Sequence, residues 1–387
     1  MPRSVPESAS VVVIGGGVIG TSIAFHLARA GVPDVVLVER DELAEGSTSK
    51  AAGGVRASFS DPANVALGLR GLEAYSTFAS DHRQEIDFRR DGYLYLLSDQ
   101  DSVDVFTEST AVQNHYGVPS RMITPEAAQR LSPLVATDGL LAAAWSPDDA
   151  KATPEAVVQG YARSARRLGA RIIRHCAVQS IERDGRAIRG VTTSLGTIRT
   201  ENVVCAAGAW SALIGDMLGV RIPVQPVRRQ IAFTEPVPGT PRHTPLTIDF
   251  PSSFYFHAEG RGMLVGWSDP AQPAGFDLDF SLGTWLEGLG EIAAVRAPAL
   301  LEAGIVSGWA GLYEVTPDHT QIIDRSEEVE GLLIATGFSG HGFLMGPAAG
   351  EIIRDLFLGR TPRYDISAFT LSRFRDSADR PRETNII

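Results

Sequence analysis

The sequence predicts an α/β protein in which a Rossmann-like dinucleotide-binding domain is interleaved with a second domain on a mixed, mostly antiparallel β-sheet. Three observations predict this fold. First, a strand, a glycine turn, a helix and a strand follow one another at the N-terminus. Second, the alternating segment YLYLL begins a different sheet. Third, segments that alternate helix and strand return twice later in the chain. We assign 1–90, 151–222 and 305–387 to the first domain, and 91–150 and 223–304 to the second.

The first domain opens with the strand SVVVI, the turn GGGVIG, the helix TSIAFHLARAG and the strand VVLVER. Apolar residues at helical spacing predict a helix over 64–80, and another helix is predicted to begin at Pro154. We interpret RIIRHCAVQSIERDG as one strand and the Pro-rich residues 223–304 as antiparallel strands. A last helix is predicted over 346–358.

Composition argues against several kinds of partner. The 387 residues are 44% hydrophobic and carry a net charge of −11 without a basic block. This argues against a nucleic acid or an anionic membrane surface as partner. The first apolar run is too short for a signal peptide or a membrane span, which predicts a cytoplasmic protein. Cys176 and Cys205 lack metal-ligand spacing, so two buried thiols and no metal site are expected.

Gly15, Gly17 and Gly20 form a GxGxxG motif between a strand and a helix. The first glycine permits the tight turn, the second lets the backbone approach a pyrophosphate, and the third lets helix and strand pack closely. Glu39 ends the second strand, where a carboxylate accepts hydrogen bonds from ribose hydroxyls. The pattern predicts a dinucleotide site, with a glycine turn that only packs two elements as the alternative. It does not decide between NAD and FAD.

Six segments together indicate a family: GGGVIG, GSTSKAAGGVR, CAAGAW, YEVTPDHTQIID, GFSGHGF and DISAFTLSRF. In this order they resemble the D-amino-acid oxidase superfamily, in its sarcosine oxidase and glycine oxidase branch. The resemblance implies FAD, a glutathione-reductase-like variant of the Rossmann fold and a substrate domain that covers the flavin. Besides the fingerprint residues, it implies cofactor contacts from Arg40, Thr48, Ser49, Lys50, Ala52, Gly53, Val178, Gly208, Trp210, Gly311, Gly340, His341, Gly342, Phe343 and Leu344.

The resemblance places GFSGHGF beside the pyrimidine edge of the flavin, where negative charge develops on reduction. Backbone N–H groups and the dipole of the following helix stabilise such charge. His341 is expected either to add a hydrogen bond or simply to pack between glycines.

Three residues are candidates for the substrate site. In the monomeric sarcosine oxidases an Arg binds the substrate carboxylate, and alignment from the shared Gly-Ser pair without gaps places that residue at Arg56. A guanidinium matches a carboxylate with two parallel hydrogen bonds. Tyr255 and Tyr313 fall where the family places tyrosines around the substrate.

The chain also departs from its family. Glycine oxidases have an Arg where this chain has Tyr313, and sarcosine oxidases have lysines at Leu344 and at Leu264, the second thought to help reduce oxygen. A more apolar pocket and slower oxygen reactivity are expected. The covalent flavin attachment sites of relatives correspond to Gly311 and Lys50, so we predict noncovalent FAD.

The expected reaction is hydride transfer from the carbon that bears the amine to flavin N5, followed by imine hydrolysis and reoxidation by O2 with release of H2O2. The expected substrate is a small secondary amino acid, such as an N-carboxymethyl amine that yields glyoxylate, or a sarcosine- or glycine-like compound. Proline or another cyclic imino acid is the second choice. The oligomeric state is not predicted.

Three alternatives stay open. The first is a dehydrogenase that passes electrons to a partner protein or a quinone, which Leu264 favours. The second is a noncatalytic FAD-binding assembly factor. The third is an NAD-dependent enzyme, which the flavin-type segments disfavour.

Overall fold

A computed structural model describes residues 4–375 and 383–385. Its α-helices in the described residues are α1 Val18–Arg29, α2 Pro62–Ser76, α3 Phe78–His82, α4 Gln100–His115, α5 Pro125–Leu131, α6 Pro154–Arg167, α7 Ser211–Leu218, α8 Gly283–Arg296 and α9 Gly342–Phe357. Its strands are β1 Val11–Ile14, β2 Val35–Val38, β3 Gly54–Val55, β4 Tyr93–Leu97, β5 Arg121–Ile123, β6 Ala142–Ser146, β7 Ala150–Lys151, β8 Arg171–Ile173, β9 Val178–Asp184, β10 Ala187–Thr193, β11 Gly196–Arg199, β12 Val203–Cys205, β13 Gln225–Thr234, β14 Leu246–Asp249, β15 Phe254–Glu259, β16 Gly262–Trp267, β17 Ile305–Val315, β18 Ile322–Arg325 and β19 Leu332–Thr336.

A six-stranded sheet in the order β18-β19-β12-β1-β2-β8 forms the Rossmann-like layer. All neighbours pair in parallel except β18 with β19. Its central strand β1 is buried on both faces. This agrees with its continuous apolar sequence, which is typical of strands in a parallel sheet covered on both sides. Val11 and Val13 pack in the cluster that includes α1, α6 and α9, whereas Val12 and Ile14 pack toward α7 and the three-stranded sheet β11-β10-β9.

An eight-stranded sheet in the order β17-β13-β16-β15-β14-β4-β6-β5 forms the second layer. Only β14 and β4 pair in parallel, and the other neighbours are antiparallel. One face packs against α8, and the other carries Ile231, Tyr255 and Leu264 toward the first layer. The predicted fold class is therefore confirmed.

Several predicted boundaries are wrong. The helix predicted over 64–80 is two helices, α2 and α3, with Thr77 between them, and α2 begins earlier because the Asp61 carboxylate accepts hydrogen bonds from two N–H groups of its first turn. The single strand predicted in RIIRHCAVQSIERDG is β8 and β9, which belong to different sheets. His175 lies between them at φ 54°, a left-handed conformation that ends the first strand.

Two more expectations need correction. The last helix begins at Gly342 rather than residue 346, because the turn at Ser339 and Gly340 already sets its start. Residues 223–304 hold the long helix α8 besides their strands. Strand β17 begins at Ile305 and lies in the eight-stranded sheet. The division of the chain into domains stays a prediction.

Two smaller points concern surface and core. Within residues 4–375 and 383–385, no helix has the length and apolar character needed to cross a membrane. Cys176 and Cys205 are both free and buried, as expected.

Candidate active site

A deep cavity extends from the carboxyl ends of β1 and β2 to the start of α9 and to the inner face of β13, β15 and β17. Nearly all the residues predicted for the site line it: Gly15, Gly17, Glu39, Arg40, Thr48, Lys50, Ala52, Gly53, Arg56, Val178, Gly208, Trp210, Tyr255, Gly311, Tyr313, Gly340, His341, Gly342, Phe343 and Leu344. Two do not line it. Gly20 packs α1 against the glycine turn, and the Ser49 N–H donates to Ala44 O at 2.9 Å.

The first glycine turn lines the cavity. Gly15 adopts φ 117°, and a Cβ there would lie 2.2 Å from Ala206 O. A Cβ at Gly20 would lie 1.9 Å from Gly15 O, so the motif permits both the turn and the close approach of α1. The Val18 N–H donates to Thr48 Oγ1 at 3.2 Å, which holds the following loop over the start of the helix.

Glu39 lies beside this turn at the end of β2. Its Oε2 accepts from the Gly16 N–H at 2.5 Å, and its Oε1 accepts from the Asp41 N–H at 2.8 Å. The guanidinium carbon of the next residue, Arg40, lies 4.5 Å from the Trp210 ring centroid. The carboxylate is thus held in place at the end of β2, where the sequence pattern predicts that a ribose binds.

The loop over 46–54 is fixed to strand β17. The Ser47 hydroxyl donates to Leu312 O at 2.6 Å, and the Trp309 indole donates to Lys50 O at 3.1 Å. A Cβ at Gly311 would lie 2.6 Å from the Lys50 Cβ, so a glycine lets loop and strand touch. The two positions at which relatives attach flavin covalently are therefore adjacent, and noncovalent binding stays a prediction.

The second glycine turn precedes α9. Ser339 and Gly340 adopt φ 50° and 100°, and the helix then begins at Gly342. Gly342, Phe343 and Leu344 of its first turn line the same cavity as Gly15, Gly16 and Gly17. A Cβ at Gly346 would lie 2.9 Å from Val18 Cγ2, so the first turns of α9 and α1 pack against each other beside this cavity.

Arg56 is buried with an exposed fraction of 2% and has three acceptors within the protein. It donates to Ser58 O at 2.6 Å, to Asn385 O at 2.5 Å and to Nε2 of His341 at 2.9 Å. Its guanidinium also lies 3.9 Å from the Phe59 ring centroid. Since arginine has only donors, Nε2 of His341 is the acceptor and the neutral ring carries its proton on Nδ1. Burial and the Arg56 charge hold the pKa of His341 well below its usual value.

A buried carboxyl supports this arginine loop. Asp149 accepts from the Ala57 N–H at 2.8 Å and from the Ser58 hydroxyl at 2.6 Å, and Ser58 also contacts Tyr95 Oη at 3.0 Å. Burial raises the pKa of Asp149 to about 6, partly offset by these hydrogen bonds and by Arg56. The sequence analysis missed Asp149, because only the folded chain brings it to the loop at residue 57.

Tyr255 is buried and Tyr313 is partly buried, and both line the cavity. Burial raises the pKa of each phenol, so both stay protonated and can donate hydrogen bonds at neutral pH. Tyr255 lies against Gly266, where a Cβ would be 2.2 Å from its Cζ. Because Gly266 of β16 has no side chain, the Tyr255 ring can lie in this part of the cavity wall.

Arg229 is a second cavity arginine that the sequence analysis missed. Its guanidinium carbon lies 5.4 Å from the Tyr313 ring centroid, and its Nη1 donates to Arg228 O at 3.1 Å. Among the described residues its buried Nε has no hydrogen-bond partner, and burial lowers the pKa of the group. Strand alternation in RRQIAF could have shown that Arg229 shares a face with Ile231.

Aliphatic side chains complete the wall. Ile231, Leu246 and Leu344 line the cavity next to the tyrosines. Leu264 is buried behind them, in one apolar cluster with Ile231 and Tyr255. Leu344 thus lines the cavity directly and Leu264 does not, and a pocket more apolar than that of the sarcosine oxidases stays a prediction.

A model of the FAD dependent oxidoreductase family, DAO, matches residues 10–356. The chain belongs to this family. FAD is the cofactor of this family, whose members are FAD-dependent oxidoreductases and include proteins named for amino acids and amines.

Solved structures and curated relatives agree with this family. L-proline dehydrogenase from P. horikoshii superposes with a TM-score of 0.91 at 34% identity, over 97% of this chain and 100% of that one. Glycine oxidase from Geobacillus kaustophilus superposes with a TM-score of 0.85 at 25% identity, over 95% and 99%. Human mitochondrial sarcosine dehydrogenase is 29% identical over 98% of this chain and 43% of its own length. The chain spans less than half the length of that relative.

The cavity residues fit FAD. The turn at Gly15 and Gly17 with the start of α1 suits a pyrophosphate, and Glu39 suits the adjacent ribose. The start of α9 at Gly342 presents N–H groups and a positive dipole end, which suit the pyrimidine edge of an isoalloxazine ring. Trp210 lines the same cavity, next to Arg40.

Proposed function

We propose that this DAO protein oxidises the C–N bond of a small secondary α-amino acid. The observation that carries the proposal is the composition of the cavity wall. Two arginines, Arg56 and Arg229, bring positive charge to a pocket whose other side chains include Ile231 and Leu246. Such a wall matches a substrate with one carboxylate and an apolar substituent on or near the nitrogen.

The similarities support a secondary amine. L-proline dehydrogenase and sarcosine dehydrogenase are named for secondary amino acids. The 34% identity to the former over nearly the whole chain favours a cyclic imino acid of proline's size. An N-substituted glycine has the same functional groups and is the second member of this substrate class.

Bound FAD supplies the hydride acceptor. The protein's own contribution is to bind the carboxylate, to orient the C–H bond and to exclude water. The apolar side chains and the two arginines favour the neutral amine over the ammonium form, because desolvation and nearby positive charge both disfavour a cation. The substrate loses a hydride and a proton to become an imine, which adds water after release.

An anaerobic spectrum tests this function. We expect purified protein with bound FAD to lose its absorbance near 450 nm when mixed with L-proline or an N-alkylglycine, and to keep it with primary amino acids of similar size. If no secondary amino acid bleaches the flavin, the proposed function is wrong, and a noncatalytic FAD-binding role becomes the better explanation.

A specific observation favours a dehydrogenase over an oxidase. The position at which sarcosine oxidases have an oxygen-reducing lysine is Leu264, which is buried and 3% exposed. We propose that electrons leave to an acceptor other than O2. Substrate-reduced protein should then reoxidise slowly in air but rapidly with a quinone or a dye, and rapid stoichiometric H2O2 formation would contradict this.

A further inference from the structure

We infer that Arg229, and not Arg56, binds the carboxylate of the substrate. The inference rests on the proposed function, since it names the residue that would recognise an α-amino acid. It concerns two guanidinium groups at one cavity, that of the buried Arg56 and that of the partly buried Arg229, which differ in what already surrounds them.

Arg229 has hydrogen-bond donors that no described residue uses. The only hydrogen bond that the described residues offer it is to Arg228 O, at 3.1 Å, and its Nε is buried without a partner. Among these residues no carboxylate forms an ion pair with it within 4.0 Å. A desolvated cation with an unused donor is unfavourable unless a ligand supplies the acceptor.

Arg56 is in the opposite situation. Two backbone carbonyls and Nε2 of His341 accept its hydrogen bonds, and the Phe59 ring covers its guanidinium. The Asp149 carboxyl lies close enough to be influenced by its charge. Arg56 is therefore a positioning residue that orients His341 at the start of α9.

The placement of Arg229 suits a carboxylate. It lies on β13 opposite Gly311 of β17, with Val227 opposite Tyr313 in the same register. The Tyr313 ring centroid lies 5.4 Å from the guanidinium carbon, and Tyr255 is also near enough to influence the pKa of Arg229. A carboxylate here would accept from the arginine, with the substrate's apolar part against Ile231, two residues along the strand.

The chain contains a matched control. Arg228 is the next residue, but its side chain points to the other side of the strand, where Nε donates to Gln272 Oε1 at 3.1 Å and Nη1 pairs with Asp277. Arg228 does not line the cavity. R228Q therefore changes the net charge of the protein by the same amount as R229Q but leaves the residues that line the cavity unchanged.

The experiment compares R229Q, R228Q and R56Q as FAD-loaded proteins. Binding is followed by the flavin spectrum with pyrrole-2-carboxylate and its carboxamide as probes, which need no turnover. We expect R229Q to bind the carboxylate roughly 10- to 100-fold more weakly and the carboxamide about as well as the unchanged protein. R228Q should match the unchanged protein, and R229K should regain part of the lost affinity.

Equal binding of the carboxylate by R229Q and the unchanged protein, or a selective loss in R56Q alone, would overturn the inference. So would the absence of carboxylate binding to the unchanged protein. If R229Q fails to retain FAD, carboxylate binding by R229K is compared with that of the unchanged protein instead. Lysine keeps the positive charge but cannot form the bidentate pair of hydrogen bonds that a guanidinium forms with a carboxylate. Failure of the proposed function would appear separately, as carboxylate binding without bleaching by any secondary amino acid.

Discussion

The ring of Tyr313 occupies the space that a side chain at Gly340 would need, with the ideal Cβ position only 2.5 Å from Cε2 of the tyrosine. The flavin-facing turn and the substrate wall are thus packed directly against each other. A change on one side must move the other.

We therefore expect G340A to displace Tyr313 and to weaken FAD binding. The substitution places a Cβ in the ring and requires a non-glycine residue at φ 100°, which costs about 1–3 kcal/mol in strain alone. Fluorescence titration of apoprotein with FAD measures the effect. G290A is the control, because a Cβ there meets nothing within 4 Å. Equal FAD affinity of G340A and the unchanged protein would contradict the expected coupling.

A second prediction concerns His341 as the acceptor for Arg56. H341F removes the acceptor and leaves a buried guanidinium donor unpaired, whereas H341Q keeps a side-chain oxygen. We expect H341F to lower the free energy of unfolding by about 1–3 kcal/mol, and H341Q by less. Urea unfolding at pH 7 measures both. A larger loss in H341Q than in H341F would show that the ring's packing on Phe59 matters more than the hydrogen bond.

A third prediction concerns pH and Asp149. Burial raises the pKa of this carboxyl from 3.8 to about 6, so the folded protein keeps its proton where the unfolded chain has lost it. The contribution of Asp149 to stability therefore falls as pH rises from about 4 to 6, by roughly 3 kcal/mol.

Comparison of the unchanged protein with D149N isolates this contribution, because the amide does not titrate. The difference in unfolding free energy between the two should change between pH 4 and pH 6, in favour of D149N at the higher pH. A difference that stays constant over this range would show that the carboxyl titrates normally.

A fourth prediction concerns residues 383–385. The Glu383 carboxylate accepts from the Ser60 N–H at 3.0 Å, from its hydroxyl at 2.6 Å and from Asn64 Nδ2 at 3.0 Å, and Asn385 O accepts from Arg56. We expect E383A to lower stability by about 2–3 kcal/mol and to speed hydrogen exchange over 56–64. E287A, at an exposed position of α8, is the control. Unchanged exchange in E383A would mean that Glu383 does not hold this segment.

Part of the cavity lining could be predicted from the sequence. Gly15 and Glu39 line the cavity as the strand–turn–helix pattern predicts, and Gly340, Tyr255 and Tyr313 line it as the family resemblance implies. The sequence analysis missed Arg229 and Asp149, whose roles depend on which strands pair and in which register. The contact of Asn385 with Arg56 joins residues 329 positions apart, and no local pattern signals such a contact.

The chain passes between its two large sheets four times: after β2, after β6, after β12 and after β17. The six-stranded layer therefore lacks its last two strands until residue 336 has been synthesised, and β12 gains its outer neighbour only then. Neither layer is a contiguous unit that can mature alone on the ribosome. We expect a single cooperative folding transition that occurs only after residue 336 has been synthesised, slowed by the long loops that must close first.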